Sequence, residues 1–249
     1  MKKILPIILI VVSVLGLLIF LIVRNKSKGK EITVEEPKTT LIETPLGERP
    51  FVALIPGSDG KRLNLQIGNI LHAQTIEYEL TYLSRGLSRG VIGTINPKGE
   101  SDFERELLLG SCSKNTCVYD EGVESGLLTL RFRDGQEIRK FSSNFTLTLG
   151  GQKLASADGK FSIEKKFNPK AYYLVMPTIG LPANITSGEA VSDSYGVFSS
   201  DTLSISGATA KIVSDGVDET QLLGFNGKTW EIQKSGLSLP ETAVFLLSK

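Results

Sequence analysis

Two cysteines separated by four residues, Cys112 and Cys117, are the first candidates for chemistry in this sequence. The intervening Ser-Lys-Asn-Thr is long enough for a hairpin loop, which would set the two side chains opposite each other on neighbouring strands, within reach of a disulfide. An oxidising compartment would close the bond, and a reducing one would leave two free thiols. A zinc site would need two further Cys or His ligands, and the chain has one histidine, His72. We therefore predict a structural disulfide between Cys112 and Cys117, with free thiols as the alternative.

A serine in a glycine-rich stretch is the second candidate. Residues 86–90 are Gly-Leu-Ser-Arg-Gly, which matches the pattern around the nucleophilic serine of α/β-hydrolases. That serine needs a base to take its proton, and the pattern needs a strand, a turn and a helix around it. No histidine follows Ser88, and the surrounding sequence alternates as strands do. We interpret the stretch as a bend or bulge that exposes Arg85 and Arg89, and we assign no catalytic residue.

Carboxylate pairs remain, because two Asp or Glu side chains can hydrolyse a glycosidic bond without histidine or metal. The candidates in principle are Glu104, Glu106, Glu121 and Glu124. Strand alternation would place the first two on a solvent-facing side. The acidic stretch 215–219 lacks the regular spacing of a dedicated calcium loop. We therefore predict no metal site and no cofactor.

The charge balance narrows the classes of partner. The chain has 28 Lys and Arg against 27 Asp and Glu, a formal net charge of +1. Nucleic-acid binding depends on a basic surface that neutralises phosphates, so we predict no nucleic-acid partner. A hydrophobic content of 41% with 22% charged residues indicates a folded chain and not a disordered one.

Hydrophobic residues alternate with polar ones in several stretches after residue 50. The alternating sets are Leu63, Leu65 and Ile67; Ile76, Tyr78, Leu80 and Tyr82; Leu128, Leu130 and Phe132; and Phe145, Leu147 and Leu149. Strands with one apolar face are typical of antiparallel sheets. Asp134-Gly135 and Asn226-Gly227 are signals for two-residue type I′ hairpin turns. The sequence therefore predicts an all-β body, antiparallel and sandwich-like.

A cluster of Gly, Ala, Ser and Asp between residues 150 and 160 marks a candidate domain boundary. Roughly 100 residues lie on each side, the usual size of a small sandwich. We predict two β domains, 49–150 and 151–249, with one larger β domain as the alternative. Residues 239–243, Leu-Pro-Glu-Thr-Ala, resemble the sortase recognition pentapeptide, but the six residues after them are too few to span a membrane. We predict a buried final strand there.

Residues Ile4 to Val23 form an uncharged, mostly apolar run of 20 residues. As a helix the run would be about 30 Å long, the thickness of a bilayer's hydrocarbon core. A cleaved signal peptide is the alternative, but its apolar region is usually shorter and ends at small residues. We predict an N-terminal tail at 1–3, a transmembrane helix at 4–23 in contact with lipid, and a flexible tether at 24–48 with linker-like composition.

The charges around this segment favour no single orientation. Two lysines precede it and four Lys or Arg residues follow it by residue 30, a count that favours a cytoplasmic body. The short basic tail before a long apolar run is instead typical of an uncleaved export signal, and the cysteine pair points the same way. We predict a signal-anchor, with the body outside the cytoplasm in the cell envelope.

Three classes of function fit these features. We predict a membrane-anchored extracytoplasmic β protein that acts as a surface binding or adhesion module for an unknown protein or polysaccharide partner. The first alternative is a non-catalytic subunit of an envelope assembly, such as secretion or pilus-type machinery. The second is a carboxylate-based envelope hydrolase. We predict no enzyme activity, because the sequence offers neither a histidine-based nor a metal-based catalytic set.

Overall fold

The computed structural model describes residues 40–114, 116–185, 188–213, 221–233 and 242–249. The predicted membrane helix at 4–23, the tether up to residue 39, the acidic stretch 215–219 and residues 239–241 of the pentapeptide lie outside these ranges. Among the described residues, no helix is long and apolar enough to cross a membrane. The anchor and the orientation of the body therefore stay predictions.

Strands make up most of the described chain, and the helical element among them is a short 3-10 turn at Leu46–Glu48. The strands are β1 (Thr40–Leu41), β2 (Phe51–Pro56), β3 (Arg62–Gly68), β4 (Thr75–Ser84), β5 (Leu87–Ile95), β6 (Phe103–Leu108), β7 (Gly110–Ser113), β8 (Thr116–Tyr119), β9 (Ser125–Asp134), β10 (Glu137–Ala155), β11 (Phe161–Pro177), β12 (Tyr195–Ser199), β13 (Thr209–Ile212), β14 (Gln221–Phe225), β15 (Trp230–Ile232) and β16 (Thr242–Ser248). Apart from β1 with β10, the named strands of this part pair antiparallel. The predicted antiparallel all-β class is confirmed for these residues.

The described strands form one large sheet and two smaller ones. The large sheet has the order β15-β14-β16-β12-β11-β10-β9-β4-β5, with β1 added to β10 and β13 added to β11. A second sheet has the order β2-β3-β6, and β7 pairs with β8 alone. The alternating sets predicted from the sequence lie on β3, β4, β9 and β10, and their apolar side chains are buried except for Leu149.

Alternation along β11 separates two hydrophobic cores. Leu174 and Met176 join a first cluster, together with apolar side chains of β2, β3, β4 and β9. Tyr173 and Val175 belong to a second cluster, which includes Phe161 near the start of the same strand. Successive side chains of a strand lie on opposite faces, so β11 contributes to both cores. Within the described residues, β4 and β9 contribute buried side chains to the first cluster only.

The long hairpin of β10 and β11 is irregular near Gly150 and Gly151. The pairing register shifts on both sides of Gly151, and both glycines have positive φ, at 60° and 118°. A Cβ on Gly150 would lie 2.6 Å from the Cα of Pro169, so a residue with a side chain does not fit there. The bulge explains why Leu149 is 53% exposed although it continues the predicted alternation.

The predicted domain boundary at residue 151 falls within β10, and β10 pairs with β11 on both sides of it. The division into 49–150 and 151–249 stays a prediction. Separate expression of fragments 49–151 and 158–249 tests it, because two independently folding β domains would each give a dispersed amide spectrum.

A type I′ turn at Arg85-Gly86 joins β4 to β5. Both central residues have positive φ, at 49° and 77°, and Ser84 pairs with Leu87 on either side of them. The glycine-rich stretch is therefore a tight hairpin where a looser bend or bulge was expected. The exposure predicted for its arginines is confirmed, with 73% of the Arg85 side chain and 51% of the Arg89 side chain accessible to solvent.

The two predicted type I′ turns are wrong in detail. Between β9 and β10 the central residues are Gly135-Gln136, with positive φ at the glycine only, which is the pattern of a type II′ turn shifted by one residue. Between β14 and β15 the loop spans residues 226–229. The Asn226 side-chain oxygen there accepts backbone hydrogen bonds from Lys228 and Thr229, and this Asx turn accommodates the longer loop.

The described end of the predicted tether, residues 40–48, contacts the large sheet. β1 pairs in parallel with the first residues of β10, and the Ile42 amide donates to the Ile138 carbonyl at 3.1 Å.

At the other end of the chain, β16 confirms the predicted buried final strand. Val244 and Leu246 pack in a third, smaller cluster, while Phe245 packs in the second core.

The predicted disulfide between Cys112 and Cys117 is present. The two residues are direct register partners in the hairpin of β7 and β8. The predicted four-residue loop is wrong in detail, because Ser113 and Thr116 also pair and the cysteines lie one pair away from the ends of the strands. The hairpin is exposed, and neither cysteine belongs to a hydrophobic cluster among the described residues.

Replacing both cysteines by serine should lower the free energy of unfolding by about 2 kcal/mol. The bond closes a short loop, so it restricts the unfolded chain only modestly. Denaturant unfolding of the full chain measures the loss, and wild-type protein under reducing conditions is the matched control. Equal stability of the oxidised wild type and the double variant would contradict a stabilising role.

Candidate functional site

The strand β5 lies at the end of the large sheet and pairs only with β4 in the described structure. The pairing runs from Ser84 with Leu87 to Ile76 with Ile95, so one whole side of a nine-residue strand has no strand partner. We call this unpaired side of Leu87–Ile95 the free edge. Unpaired backbone N–H and C=O groups along a strand are a template for pairing with another chain.

Two other end strands in the described residues, β6 and β15, carry protection that β5 lacks. The end strand β6 exposes three consecutive charged residues, Glu104, Arg105 and Glu106, and the end strand β15 has only three residues. Charges and short length are both ordinary means of preventing edge pairing. In contrast, β5 is long and has one charged residue, Arg89.

Side chains of β5 alternate between a covered and an uncovered face. Val91, Gly93 and Ile95 face the first core, and Gly93 lies so close to the Tyr78 ring that a Cβ would be 2.5 Å from its Cζ atom. The opposite face carries Ser88, Gly90, Ile92 and Thr94, all exposed. The Ile92 side chain is 77% exposed, the highest value for a large hydrophobic residue in the described chain. The free edge is therefore uncharged and apolar at its centre.

The turn at Arg85-Gly86 determines which backbone groups of β5 are free. In a two-residue hairpin the flanking pair, here Ser84 and Leu87, is hydrogen-bonded, and hydrogen-bonded pairs then alternate along the ladder. The odd-numbered residues of β5 thus direct their backbone groups towards β4. The even-numbered residues, from Ser88 to Thr94, direct theirs to the free edge.

Contacts below β5 hold the hairpin in place. The Tyr82 hydroxyl donates to the Asp120 carboxylate at 2.8 Å, and Arg89 lies 3.7 Å from the other oxygen of Asp120. Burial and this hydrogen bond raise the pKa of Tyr82, so the hydroxyl stays protonated as the donor. Ser84 donates to the Glu121 carbonyl at 2.8 Å. The covered face of the hairpin is thereby tied to the loop after β8, while the free edge has no such contact among the described residues.

A polar groove of about 1030 Å³ lies elsewhere, beside residues 42–49. Its polar lining includes Thr44, Arg49, Lys140, Ser142, Thr178 and Asp193. Arg49 donates to the Thr44 carbonyl at 2.8 Å, which fixes one wall of the groove. The Thr44 hydroxyl is buried without a hydrogen-bond partner among the described residues. This groove has side chains suited to hydroxyl-bearing ligands, but no pair of catalytic groups is defined within it.

The structure keeps Ser88 and His72 apart. His72 is exposed in the loop before Thr75, the first residue of β4, whereas Ser88 pairs with Leu83 near the other end of that strand. At about 3.3 Å per residue, Thr75 and Leu83 are about 26 Å apart along β4. A histidine at that distance cannot take the serine proton.

The candidate carboxylates lie in two separate places. Glu104 and Glu106 are exposed on β6, as strand alternation predicted. Hydrogen bonds from Gln66 and Asn64 lower the pKa of Glu104, the opposite of the shift that a general acid needs. Glu121 and Glu124 line a different groove, of about 620 Å³, and the Glu121 carboxylate is paired with Arg85.

Ile92 is not among the residues predicted from the sequence. The available signal is the composition of 87–95, with one charge, two glycines and an isoleucine among polar residues on one face. That pattern alone does not show which strand ends a sheet.

In the described ranges, no group of three His, Cys, Asp or Glu residues is placed to hold a metal ion. No protein-family model, curated protein or solved structure matches this chain.

Proposed function

We propose that this chain is a binding module, anchored in a membrane by residues 4–23, that engages its partner by adding an extended strand to the free edge of β5. The observation that carries the proposal is the free edge itself: nine residues long, with an exposed Ile92 and without the charges of β6. Strand addition takes its affinity from backbone hydrogen bonds and its selectivity from alternate side chains.

Three features support a location outside the cytoplasm. The uncharged run at 4–23 has the length of a membrane helix, and two lysines lie directly before it. The Cys112–Cys117 bond is of the kind that persists in oxidising compartments. In this proposal the body is sandwich-like, with two small β domains held away from the bilayer by the tether.

Protease treatment of intact cells tests the orientation. A protease added outside should digest the body after residue 50, while a cytoplasmic marker protein stays whole. Complete protection of the body under conditions that digest a known surface protein would contradict the extracytoplasmic location.

Hydrogen exchange tests strand addition directly, because pairing protects the amides that face the free edge. The full chain in detergent, diluted until it is monomeric, should show fast exchange at Ser88, Gly90, Ile92 and Thr94. Addition of solubilised envelope extract should slow exchange over 87–95. Exchange over 87–95 that stays fast both with the extract and at higher concentrations of the chain itself would contradict the proposal.

Two substitutions make the test specific. Ile92→Lys places a charge at the centre of the free edge and should abolish the protection. Ile232→Lys is the matched control, because Ile232 is a half-exposed isoleucine on β15, at the other end of the same sheet. Loss of protection in both variants, or in neither, would show that β5 is not the contact.

A further inference from the structure

We infer that the strand received by β5 is β5 of a second copy of this chain, paired antiparallel with Val91 on the two-fold axis. The inference rests on the proposed function in using the same free edge, and it adds the identity of the partner and the register. A two-fold interface brings the same surface of both copies together, so β5 must complement itself.

The backbone of β5 satisfies this condition. With Val91 opposite Val91, Ser88 lies opposite Thr94 and Gly90 opposite Ile92, and each of these pairs occurs twice. All four residues direct their N–H and C=O groups to the free edge, so they fall in hydrogen-bonded positions. Each such pair exchanges two bonds, which gives about eight backbone hydrogen bonds between the copies.

The side chains also complement each other in this register. The exposed Ile92 of one copy lies over Gly90 of the other, where no side chain occupies the space. Ser88 and Thr94 form hydroxyl pairs, which are favourable across strands. Contact with the second strand then removes part of the apolar surface of Ile92 from water.

Charge favours the same register. Arg89, the one charged residue of β5, lies opposite Gly93 of the second copy and not opposite a like charge. The two arginines are four positions apart along the paired strands, about 13 Å, which is beyond the screening length at physiological salt.

Other registers are poorer. Centring the pair on Ile92 places the two isoleucines against each other and leaves Leu87 and Ser88 without opposite residues in β5. Centring it on Gly90 places Ile92 opposite Ser88 and leaves Thr94 and Ile95 unpaired. A shift by one residue places even-numbered residues of one copy opposite odd-numbered residues of the other. The side chains of the second strand then lie on the wrong face, and the free backbone groups of one copy meet groups of the other that are already bonded to its own β4. Only the centre at Val91 pairs all nine residues of β5.

Cross-linking of the full chain in detergent tests the register. The native cysteines are bonded to each other, so a cysteine introduced on β5 is the one free thiol. Val91→Cys places two thiols opposite each other in a non-hydrogen-bonded pair, where the Cα separation of about 4.5 Å allows a disulfide. Mild oxidation should yield a covalent dimer of Val91→Cys and little of Ile92→Cys.

The other outcomes overturn the inference. A covalent dimer of Ile92→Cys alone would show a different register. Equal dimer from both variants and from Ile232→Cys would show random collision, and no dimer from any variant would show that β5 does not pair with itself.

Sedimentation of the full chain in detergent gives an independent measure. Ile92→Lys should weaken the dimer at least about tenfold, because it removes the apolar contact and places two like-charged side chains diagonally across the axis, with their Cβ atoms about 7 Å apart. The variant should stay folded, because Glu79 lies opposite residue 92 on β4 and its carboxylate can face the new lysine. Ile232→Lys should leave the dissociation constant unchanged. A wild-type protein that stays monomeric at all concentrations, yet gains protection of 87–95 from envelope extract, would overturn this inference and leave the proposed function intact.

Discussion

Replacing Phe161 by alanine should lower the free energy of unfolding by about 4 kcal/mol, as for other fully buried aromatic residues. The Phe161 side chain has no solvent exposure. Its ring stacks on Tyr195 and on Phe245, with centroids 5.4 Å and 5.5 Å away. Removal of the ring leaves a cavity between two large side chains held by different strands, which cannot easily close together.

Denaturant unfolding of the full chain measures this loss. Phe103→Ala is the matched control, because Phe103 is a half-buried phenylalanine that packs at the margin of the first core. Its loss should be well under half that of Phe161→Ala, since less apolar surface returns to water. Equal losses in the two variants would contradict the burial that the structure assigns to Phe161.

Calorimetry of the same variant also bears on domain organisation. Phe161 belongs to the second core, which shares β11 with the first. If residues 49–249 unfold as one cooperative unit, a single transition should move to lower temperature. If the body has two domains, one of two transitions should move and the other should stay in place.

Replacing Gly126 by alanine should cost about 3 kcal/mol, the upper range for overpacking a core. A Cβ at this position would lie 2.4 Å from the Thr81 carbonyl oxygen and 2.6 Å from the Phe145 ring. The Phe145 ring is fully buried and the carbonyl belongs to β4, so neither can move without disturbing the sheet. The relief of this contact must therefore come from displacement of the strands themselves.

The matched control for this substitution is Gly47→Ala. A Cβ on Gly47 would meet no atom within 4 Å, and its backbone needs no positive φ, so the free energy of unfolding should change by less than about 0.5 kcal/mol. Thermal unfolding of both variants measures the difference. A Gly126→Ala protein as stable as Gly47→Ala would contradict the packing of β9 against β4 and β10.

These stability variants and the edge variants should behave in opposite ways. Ile92 is mostly exposed, so Ile92→Lys should change the stability of the monomer by less than about 0.5 kcal/mol. The same substitution should abolish protection of the free edge. We therefore expect the proposed strand addition to be separable from folding, whereas substitutions at Phe161 or Gly126 should affect both.

Local patterns in the sequence were sufficient for several structural features. Period-two alternation identifies β3, β4, β9 and β10, because each strand buries one face and the pattern lies within a few consecutive residues. The spacing of Cys112 and Cys117 predicts their bond for the same reason, since a separation of four residues lets a short hairpin set the two side chains opposite each other. The apolar run 244–247 likewise predicts the buried part of β16.

The exact turn types could not be predicted from the local sequence, because the pairing register of the flanking strands determines which of several similar turns forms. Asp134-Gly135 and Asn226-Gly227 carry the residues of a type I′ turn, but the strand registers shift one and lengthen the other. Arg85-Gly86, a weaker signal, forms the type I′ turn because Ser84 and Leu87 are brought into register by the buried faces of β4 and β5.

The candidate site depended wholly on tertiary structure. Whether β5 is central or terminal depends on the pairing of β4 with β9, whose partners Tyr78 and Leu130 are far apart in the chain. The sequence of 87–95 would suit either position, because alternation reports which face is buried and not which backbone edge is paired. The type of each residue indicates whether its side chain is buried, whereas the order of all the strands determines which strand edge has no partner. The sequence alone therefore determined the class of fold, and the order of the strands in the described structure decided which strand edge is unpaired.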